Sequence, residues 1–193
     1  IPVRAIDRGL TSRFGSLDPN EGGNTSRQNI SISHSYTPDD KNIFTTDILY
    51  SRYTFNLFSN FTYFLHDTTF GDQINQKENR SVLGLSLTKG KEYSLNEGSL
   101  YLKSGMSVRH DQIINNELNH TYLRTIKLQT IQAGDVNEAN ANLYTHLNYS
   151  SDNWDITLGL RYDYFIFNYR NKNTPEIREN TAKGNVLNGH VNA

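Results

Sequence analysis

A long stretch of alternating residues, from about Thr46 to His66, is the feature that most restricts how this chain can fold. Apolar and aromatic residues occupy most odd positions from Leu49 to Leu65, and polar residues occupy many even positions, although Ile48 and Phe58 interrupt them. A period of two is typical of a β-strand whose two faces meet different surroundings. Roughly twenty residues is far longer than an ordinary globular strand of about five or six.

Five further stretches repeat this period, so the chain is predicted to be all-β and antiparallel. The six predicted strands cover about residues 28–37, 44–66, 80–89, 98–110, 122–149 and 154–169. The abundant Thr, Ser, Asn, Tyr and Phe residues favour strands and turns over helix interiors. One apolar face is expected to carry Leu57, Leu85, Leu102, Leu143 and Leu158.

The predicted connections alternate between short and long. Short turns are expected at residues 38–42, 89–97 and 150–153, and long loops at about 67–79, 111–134 and 170–193. Strict alternation puts every long loop at one end of the sheet, as in outer-membrane barrels. The aromatic residues expected near the two ends of the apolar face are Tyr36, Tyr63, Tyr149, Trp154 and Tyr164. Such placement fits the aromatic girdles of those barrels.

A sheet with one apolar face can be stable in either of two environments, water or a lipid bilayer. A soluble β-sandwich turns that face toward a core, whereas a transmembrane barrel turns it toward lipid and encloses the polar face. The long strands and the alternating connections favour a barrel, because crossing a bilayer takes about 9–11 tilted residues. A sandwich binding module and another outer-membrane barrel, such as a porin or an adhesin, remain open as alternatives.

Composition excludes several other classes. The 193 residues carry 19 basic and 20 acidic side chains, which gives no overall field for nucleic acid. A mean hydropathy of -0.67, with no long apolar run, argues against a helical membrane protein. The chain has no cysteine for a disulfide or a thiolate metal site. It begins at Ile1 and Met106 is its single methionine, so we expect it to be a piece of a longer protein.

Four stretches, in order along most of residues 1–169, resemble barrel strands of TonB-dependent outer-membrane receptors. They are residues 1–5 with 12–25, 57–65, 135–144, and the motif Leu-Gly-Leu-Arg-Tyr-Asp-Tyr at 158–164. The resemblance implies part of a bacterial outer-membrane barrel of about 22 strands, in contact with outer-membrane lipid. It also implies energised uptake of a siderophore, haem, cobalamin, metal chelate or glycan. Neither the family's N-terminal plug domain nor its TonB-binding box is found in this chain, and six strands do not close a barrel.

Cations inside the predicted strands are the first candidates for ligand contact. Arg52, Arg109 and Arg161 are assigned to the polar, interior face, where they could attract an anionic chelate or bind carboxylates of the plug. Asp163 is expected to pair with one of them. A structural ion pair is the simpler interpretation of each.

The predicted loop 111–134 supplies the remaining candidates. His110 and His120 flank it and could contact a metal chelate or haem together, and Tyr122 and Arg124 lie within it. Solvated loop positions are the simpler interpretation. The histidines lack the spacing of a zinc enzyme, and no acidic pair suggests acid–base chemistry. We therefore predict no catalytic residue, no resident metal, no cofactor and no enzymatic activity.

Overall fold

The computed structural model describes residues 3–16, 18–174, 176 and 178–192, and shows one open antiparallel sheet. Its seven strands follow chain order: β1 Gly22–Asp39, β2 Asn42–Ser59, β3 Ile74–Leu95, β4 Gly98–Tyr122, β5 Ile126–Ser150, β6 Asp155–Asn171 and β7 Arg178–Asn192. A single turn of helix, α1 Val3–Asp7, precedes them. None of the helical segments described is long and apolar enough to cross a membrane. The predicted all-β, antiparallel, unclosed fold is confirmed, with seven strands rather than six.

The predicted long loops are wrong over much of their length. Residues 74–79 belong to β3 and residues 111–122 to β4. Residues 126–134 belong to β5, in agreement with the predicted strand 122–149 and not with the overlapping predicted loop. The predicted loop 170–193 contains most of β7. These segments are mostly polar and contain bulges, so their sequence shows no regular apolar period although they are paired in the sheet. Conversely, residues 60–66, predicted as strand, lie in the connection between β2 and β3.

The observed connections still differ between the two ends. Two, two and four residues join the strands at one end, at 40–41, 96–97 and 151–154, here called the short-turn end. The other connections, 60–73, 123–125 and 172–177, lie at the opposite end, here called the loop end. Six residues named in the sequence analysis or in its ranges lie outside the described residues: Ile1, Pro2, Leu17, Pro175, Ile177 and Ala193.

The pairing register defines an apolar face and a polar face. In one row of the apolar face Ile32, Ile48 and Leu85 stand side by side, and the row continues through Val108, Ala141 and Tyr164. Leu85, Leu102, Leu143 and Leu158 share this face, as predicted. Leu143 is 60% exposed, and no second layer packs on the face within the described part of the chain. A soluble sandwich would bury these side chains.

The predicted faces of β2 are reversed. Leu57 pairs with Gly23 and Gln76, which places it on the polar face, opposite Leu85. Arg52 pairs with Gln28 and Ser81 and lies on the apolar face, not in the interior as predicted. The error has a physical cause, because β2 carries large apolar or aromatic side chains on both faces.

The strands cross the apolar band obliquely. On β3 the band ends at Leu87, because Lys89 and Lys91 follow on the same face. Lys89 stands in register with Leu160 of β6, yet β6 stays apolar beyond Leu160 to Ile156. The band therefore shifts toward the short-turn end from β3 to β6. This is the shift expected for strands tilted in a barrel wall.

Candidate functional site

Two bidentate ion pairs stand on the polar face. Nε and Nη2 of Arg109 donate to the carboxylate of Asp111 at 2.6 and 2.8 Å. Arg161 donates to Asp163 in the same way at 2.7 and 2.8 Å. Residues two apart on a strand point to one face, so each pair is set by local geometry. The predicted pairing of Asp163 with an arginine is confirmed.

In both pairs the acid is buried and the base is exposed. Asp111 is 3% and Asp163 6% exposed, whereas the side chains of Arg109 and Arg161 are 57% and 49% exposed. Each carboxylate occupies the Nε and Nη2 edge of its guanidinium, and the hydrogen bonds found among the described residues leave Nη1 free. The carboxylates thus hold two partly exposed cations in fixed positions.

Further polar groups extend each pair to a neighbouring strand. Nη1 of Arg80 lies 3.9 Å from the Asp111 carboxylate, and its Nε donates to Glu78 at 2.7 Å. Asn140 donates to Asp163 at 3.5 Å. The polar face therefore carries two hydrogen-bonded clusters, one on β3 and β4 around Asp111 and one on β5 and β6 around Asp163.

A donor-rich cavity adjoins Arg161 toward the short-turn end. It has a volume of about 390 Å³, and its polar lining includes Tyr144, His146, Arg161, Asn188 and His190. The rings of His146 and His190 lie 5.3 Å apart above Gly159, where a Cβ atom would collide with His190. No carboxylate lines this cavity in the part of the chain described. His190 was not predicted to be a site residue, because it lies in the predicted loop 170–193. Non-polar and polar residues do alternate there, in the order Leu187, Asn188, Gly189 and His190.

Arg124 lies at the tip of the β4–β5 hairpin and binds the chain itself. Leu123 and Arg124 have φ values of 52° and 62°, the left-handed pair of a type I′ turn. The Arg124 side chain donates to the carbonyl oxygens of Asn20, at 2.6 Å, and Glu21. Its backbone N–H donates to Gln73 at 2.9 Å. These contacts occupy Nε and Nη2 of Arg124, which are among the donors that were predicted to meet a ligand.

His120 and Tyr122 hold the connection 60–73 against the sheet. Nε2 of His120 donates to the carbonyl oxygen of Gly71 at 2.7 Å, and it lies 3.9 Å from the Asp67 carboxylate. The Tyr122 ring packs edge-on against Phe70, with centroids 5.5 Å apart. Both side chains therefore have structural partners, which the sequence analysis did not identify.

The connection 60–73 is also organised by its own carboxylates. Asp72 accepts hydrogen bonds from the backbone amides of Leu65, His66 and Asp67, the last at 2.7 Å. Desolvation raises the pKa of Asp72, but these amides and the Thr62 hydroxyl outweigh it and lower the pKa to about 2. Hydrogen bonds from the Phe70 and Thr69 amides lower the pKa of Asp67 in the same way.

The predicted joint contact of His110 and His120 with one ligand is wrong. His110 pairs with Leu83 and Ala139 on the apolar face, whereas a bulge in β4 puts His120 beside Ile74 on the opposite face. Ten residues of strand separate them by roughly 30 Å. Across the described residues, no three His, Asp or Glu side chains are grouped so as to hold a metal ion.

A single antiparallel sheet, apolar on one face, networked and polar on the other, and crossed obliquely by long strands, is a segment of β-barrel wall. The family model named TonB dependent receptor-like, beta-barrel matches residues 4–193. The chain belongs to this family, as its sequence motifs predicted. The family's barrels are outer-membrane proteins of Gram-negative bacteria. No curated protein sequence matches this chain.

The solved structure of the ferric citrate transporter FecA in its unliganded form has a similar fold, with a TM-score of 0.78 at 14% sequence identity. The match covers 95% of this chain and 26% of that one. The chain therefore spans about a quarter of the transporter's length. At this identity the likeness concerns the fold alone.

Proposed function

We propose that this sheet is one part of the wall of an outer-membrane receptor that imports a scarce ligand with energy supplied through TonB. The observation that carries the proposal is the separation of the sheet into an apolar face and a networked polar face on strands of 15 to 25 residues. Such a wall turns its apolar face to lipid and its polar face to the interior. The loop end then faces the outside of the cell, and the plug fills the interior.

Family membership favours a receptor over the porin and the adhesin that the sequence alone also allows. The exposed apolar side chains, such as Leu143 and Leu187 at 60% and 66% exposure, argue against a soluble sandwich. No catalytic role is proposed, because the family and the structural neighbour are receptors and transporters.

For the ligand we propose an anionic chelate. Its support is the pair of fixed cations, Arg109 and Arg161, which are partly exposed on the face assigned to the interior. Bidentate anchoring on Asp111 and Asp163 lowers the entropy that each guanidinium loses when it binds an anion. FecA, whose fold this sheet shares, transports ferric citrate, an iron chelate of a carboxylic acid. Carboxylates of the plug are a second partner for the same donors.

Uptake by the complete receptor tests the proposal. Radiolabelled ferric citrate serves as the probe, and Arg109→Gln and Arg161→Gln are the test variants. Each variant is expected to raise the ferric citrate concentration that gives half-maximal uptake roughly tenfold, because it loses a charge-assisted hydrogen bond to the ligand. Arg52→Gln is the matched control, because Arg52 lies on the other face. Equal losses in all three variants, or none, contradict an interior anion contact.

A further inference from the structure

We propose that His146 and His190 form a binding site for a divalent transition-metal ion on the polar face of the sheet. The site goes beyond the proposed function, because it does not depend on which ligand the receptor imports. It also departs from the prediction, made from the sequence, that the chain holds no resident metal.

The register brings the two histidines to one row of the polar face. His146 of β5 pairs with Gly159 of β6, and Gly159 pairs with His190 of β7. Two strand spacings separate the backbones of the histidines by roughly 10 Å. Their ring centroids are only 5.3 Å apart, so the side chains lean toward each other across Gly159. The missing side chain of the glycine leaves the space that the rings share.

The nitrogen edge of the His190 ring lies over Gly159. The three atoms nearest to the position that a Cβ atom of residue 159 would take are Cε1, Nδ1 and Nε2 of His190, with the two nitrogens at 2.5 and 2.8 Å from it. Both nitrogens therefore border the space into which the His146 ring also leans.

The ring nitrogens of His146 and His190 have no hydrogen-bond partner among the described residues. His120 differs from them, because its Nε2 bonds to the carbonyl oxygen of Gly71 at 2.7 Å. Packing of one ring on the other would explain their separation, but it leaves four nitrogens unused. Imidazole nitrogen is a common ligand of zinc and related ions, so a metal ion is the occupant that uses these atoms.

The separation of the rings matches the geometry of a shared metal ion. A zinc ion lies about 2.1 Å from each bound imidazole nitrogen, and so about 3.2 Å from each ring centroid. At a tetrahedral angle the two centroids are then about 5.2 Å apart. The observed separation of 5.3 Å needs almost no rearrangement of the side chains. Water from the adjoining cavity of about 390 Å³ completes the coordination.

The surroundings select the kind of ion. No carboxylate lines the cavity in the described part of the chain, so the site lacks the oxygen ligands of Mg²⁺ and Ca²⁺, whereas imidazole suits Zn²⁺, Ni²⁺ and Cu²⁺. The charge of Arg161 is paired with Asp163, two residues further along β6 from Gly159, and is thus drawn away from the histidines. Lys103 stands beside His146 on β4 but does not line the cavity.

Zinc binding by the complete receptor, purified without a polyhistidine tag and stripped of metal, tests the inference. Calorimetric titration with Zn²⁺ measures the affinity, and Co²⁺ reports tetrahedral coordination through its visible absorption. His146→Asn and His190→Asn are each expected to weaken Zn²⁺ binding about a hundredfold, since the second of two linked ligands contributes roughly that factor. Both variants should lose the Co²⁺ absorption band, and excess Mg²⁺ should not compete with Zn²⁺.

Matched controls separate the histidine pair from its neighbours. His66→Asn changes an exposed histidine of the connection 60–73 and should leave Zn²⁺ binding unchanged. Gly159→Ala removes no ligand but displaces the His190 ring, so it should also weaken binding. Gly84→Ala, on the same face but with room for a methyl group, should not. Heat-modifiable gel migration reports whether each variant is folded.

The outcomes separate the metal site from the receptor function. The site is refuted if the receptor does not bind Zn²⁺, if both histidine variants bind it as the wild type does, or if a folded Gly159→Ala variant keeps the wild-type affinity. Binding of inorganic phosphate that is lost in the histidine variants would assign the site to an anion and refute it as well. Ferric citrate uptake is measured separately, so failure of the metal site leaves the receptor function standing.

Discussion

The half of the sheet nearer the short turns and the half nearer the loop end differ in regularity. From the row of Arg52 to the turns, the pairing of β2 to β6 is continuous. Nearer the loop end, the register shifts between Lys77 and Asn79, and again three times between β4 and β5. The half nearer the loop end also contains two of the least exposed side chains of the described residues, Asn75 and Asn119, at 2% and 1% exposure.

The two halves meet the requirements of different environments. In hydrocarbon every backbone group must be paired within the sheet, so bulges are costly and the outward face must be apolar. In water the chain can bulge, carry polar residues on both faces and fold a connection back onto the strands. The regular half is therefore assigned to the bilayer and the bulged half to its outside.

The largest effect is expected from a charge on the apolar face of the regular half. Leu85→Arg should destabilise the complete receptor by about 2–4 kcal/mol, the cost of arginine at the middle of a bilayer. Ser86→Arg, on the polar face, is the matched control. Urea unfolding in vesicles measures the free energy of unfolding of both variants. Equal destabilisation would contradict the assignment of the two faces.

A smaller effect is expected from the buried acid of an ion pair. Asp111→Asn removes the bidentate acceptor of Arg109 and should cost about 1–2 kcal/mol, after allowance for the exposed guanidinium. Asp47→Asn, an exposed acid on the same face that accepts from Ser33, should cost less than about 0.5 kcal/mol. The same unfolding assay measures both variants. If Asp111→Asn leaves the free energy of unfolding unchanged, the ion pair of Asp111 does not contribute to stability.

In the bulged half, loss of Arg124 should open local structure only. Arg124→Ala removes two bonds to the carbonyl oxygens of Asn20 and Glu21, and the tip contact should weaken by about 1 kcal/mol. Hydrogen exchange of residues 60–73 and 123–125 should rise, while β2 to β6 nearer the short turns stay protected. Lys127→Ala is the exposed control. Faster exchange throughout the sheet would contradict two separable halves.

The smallest effect on the stability of the whole molecule is expected from lowering the pH. Asp72 has a pKa of about 2 in the folded connection and about 3.9 in an unfolded chain. Because the folded value is lower, its contribution is complete above about pH 4 and is lost as the pH falls toward 2. The amides of His66 and Asp67 should then exchange faster than those of β5. Asp72→Asn should remove this pH dependence, and its persistence would assign the effect to another group.

The sequence predicted the Arg161 and Asp163 pair because its geometry is local. Residues two apart on a strand share a face whatever surrounds them. Partners remote in the chain were inaccessible, since Arg124 binds carbonyl oxygens 104 and 103 residues away. The roles of His120 and Tyr122 were missed for the same reason: their partners lie in a connection that itself was predicted to be strand in part.

The amino-acid sequence predicts the all-β antiparallel sheet, its two faces on β3 to β6 and its family. These follow from a local pattern, since a wall between lipid and a polar interior needs an apolar side chain at every second position. The face of Arg52, the seventh strand and the contacts of Arg124 with Asn20 and Glu21 could not be predicted, because they depend on how the strands pair. A strand with apolar residues on both faces, or polar residues on both, carries no period that fixes its register, so its neighbours assign it.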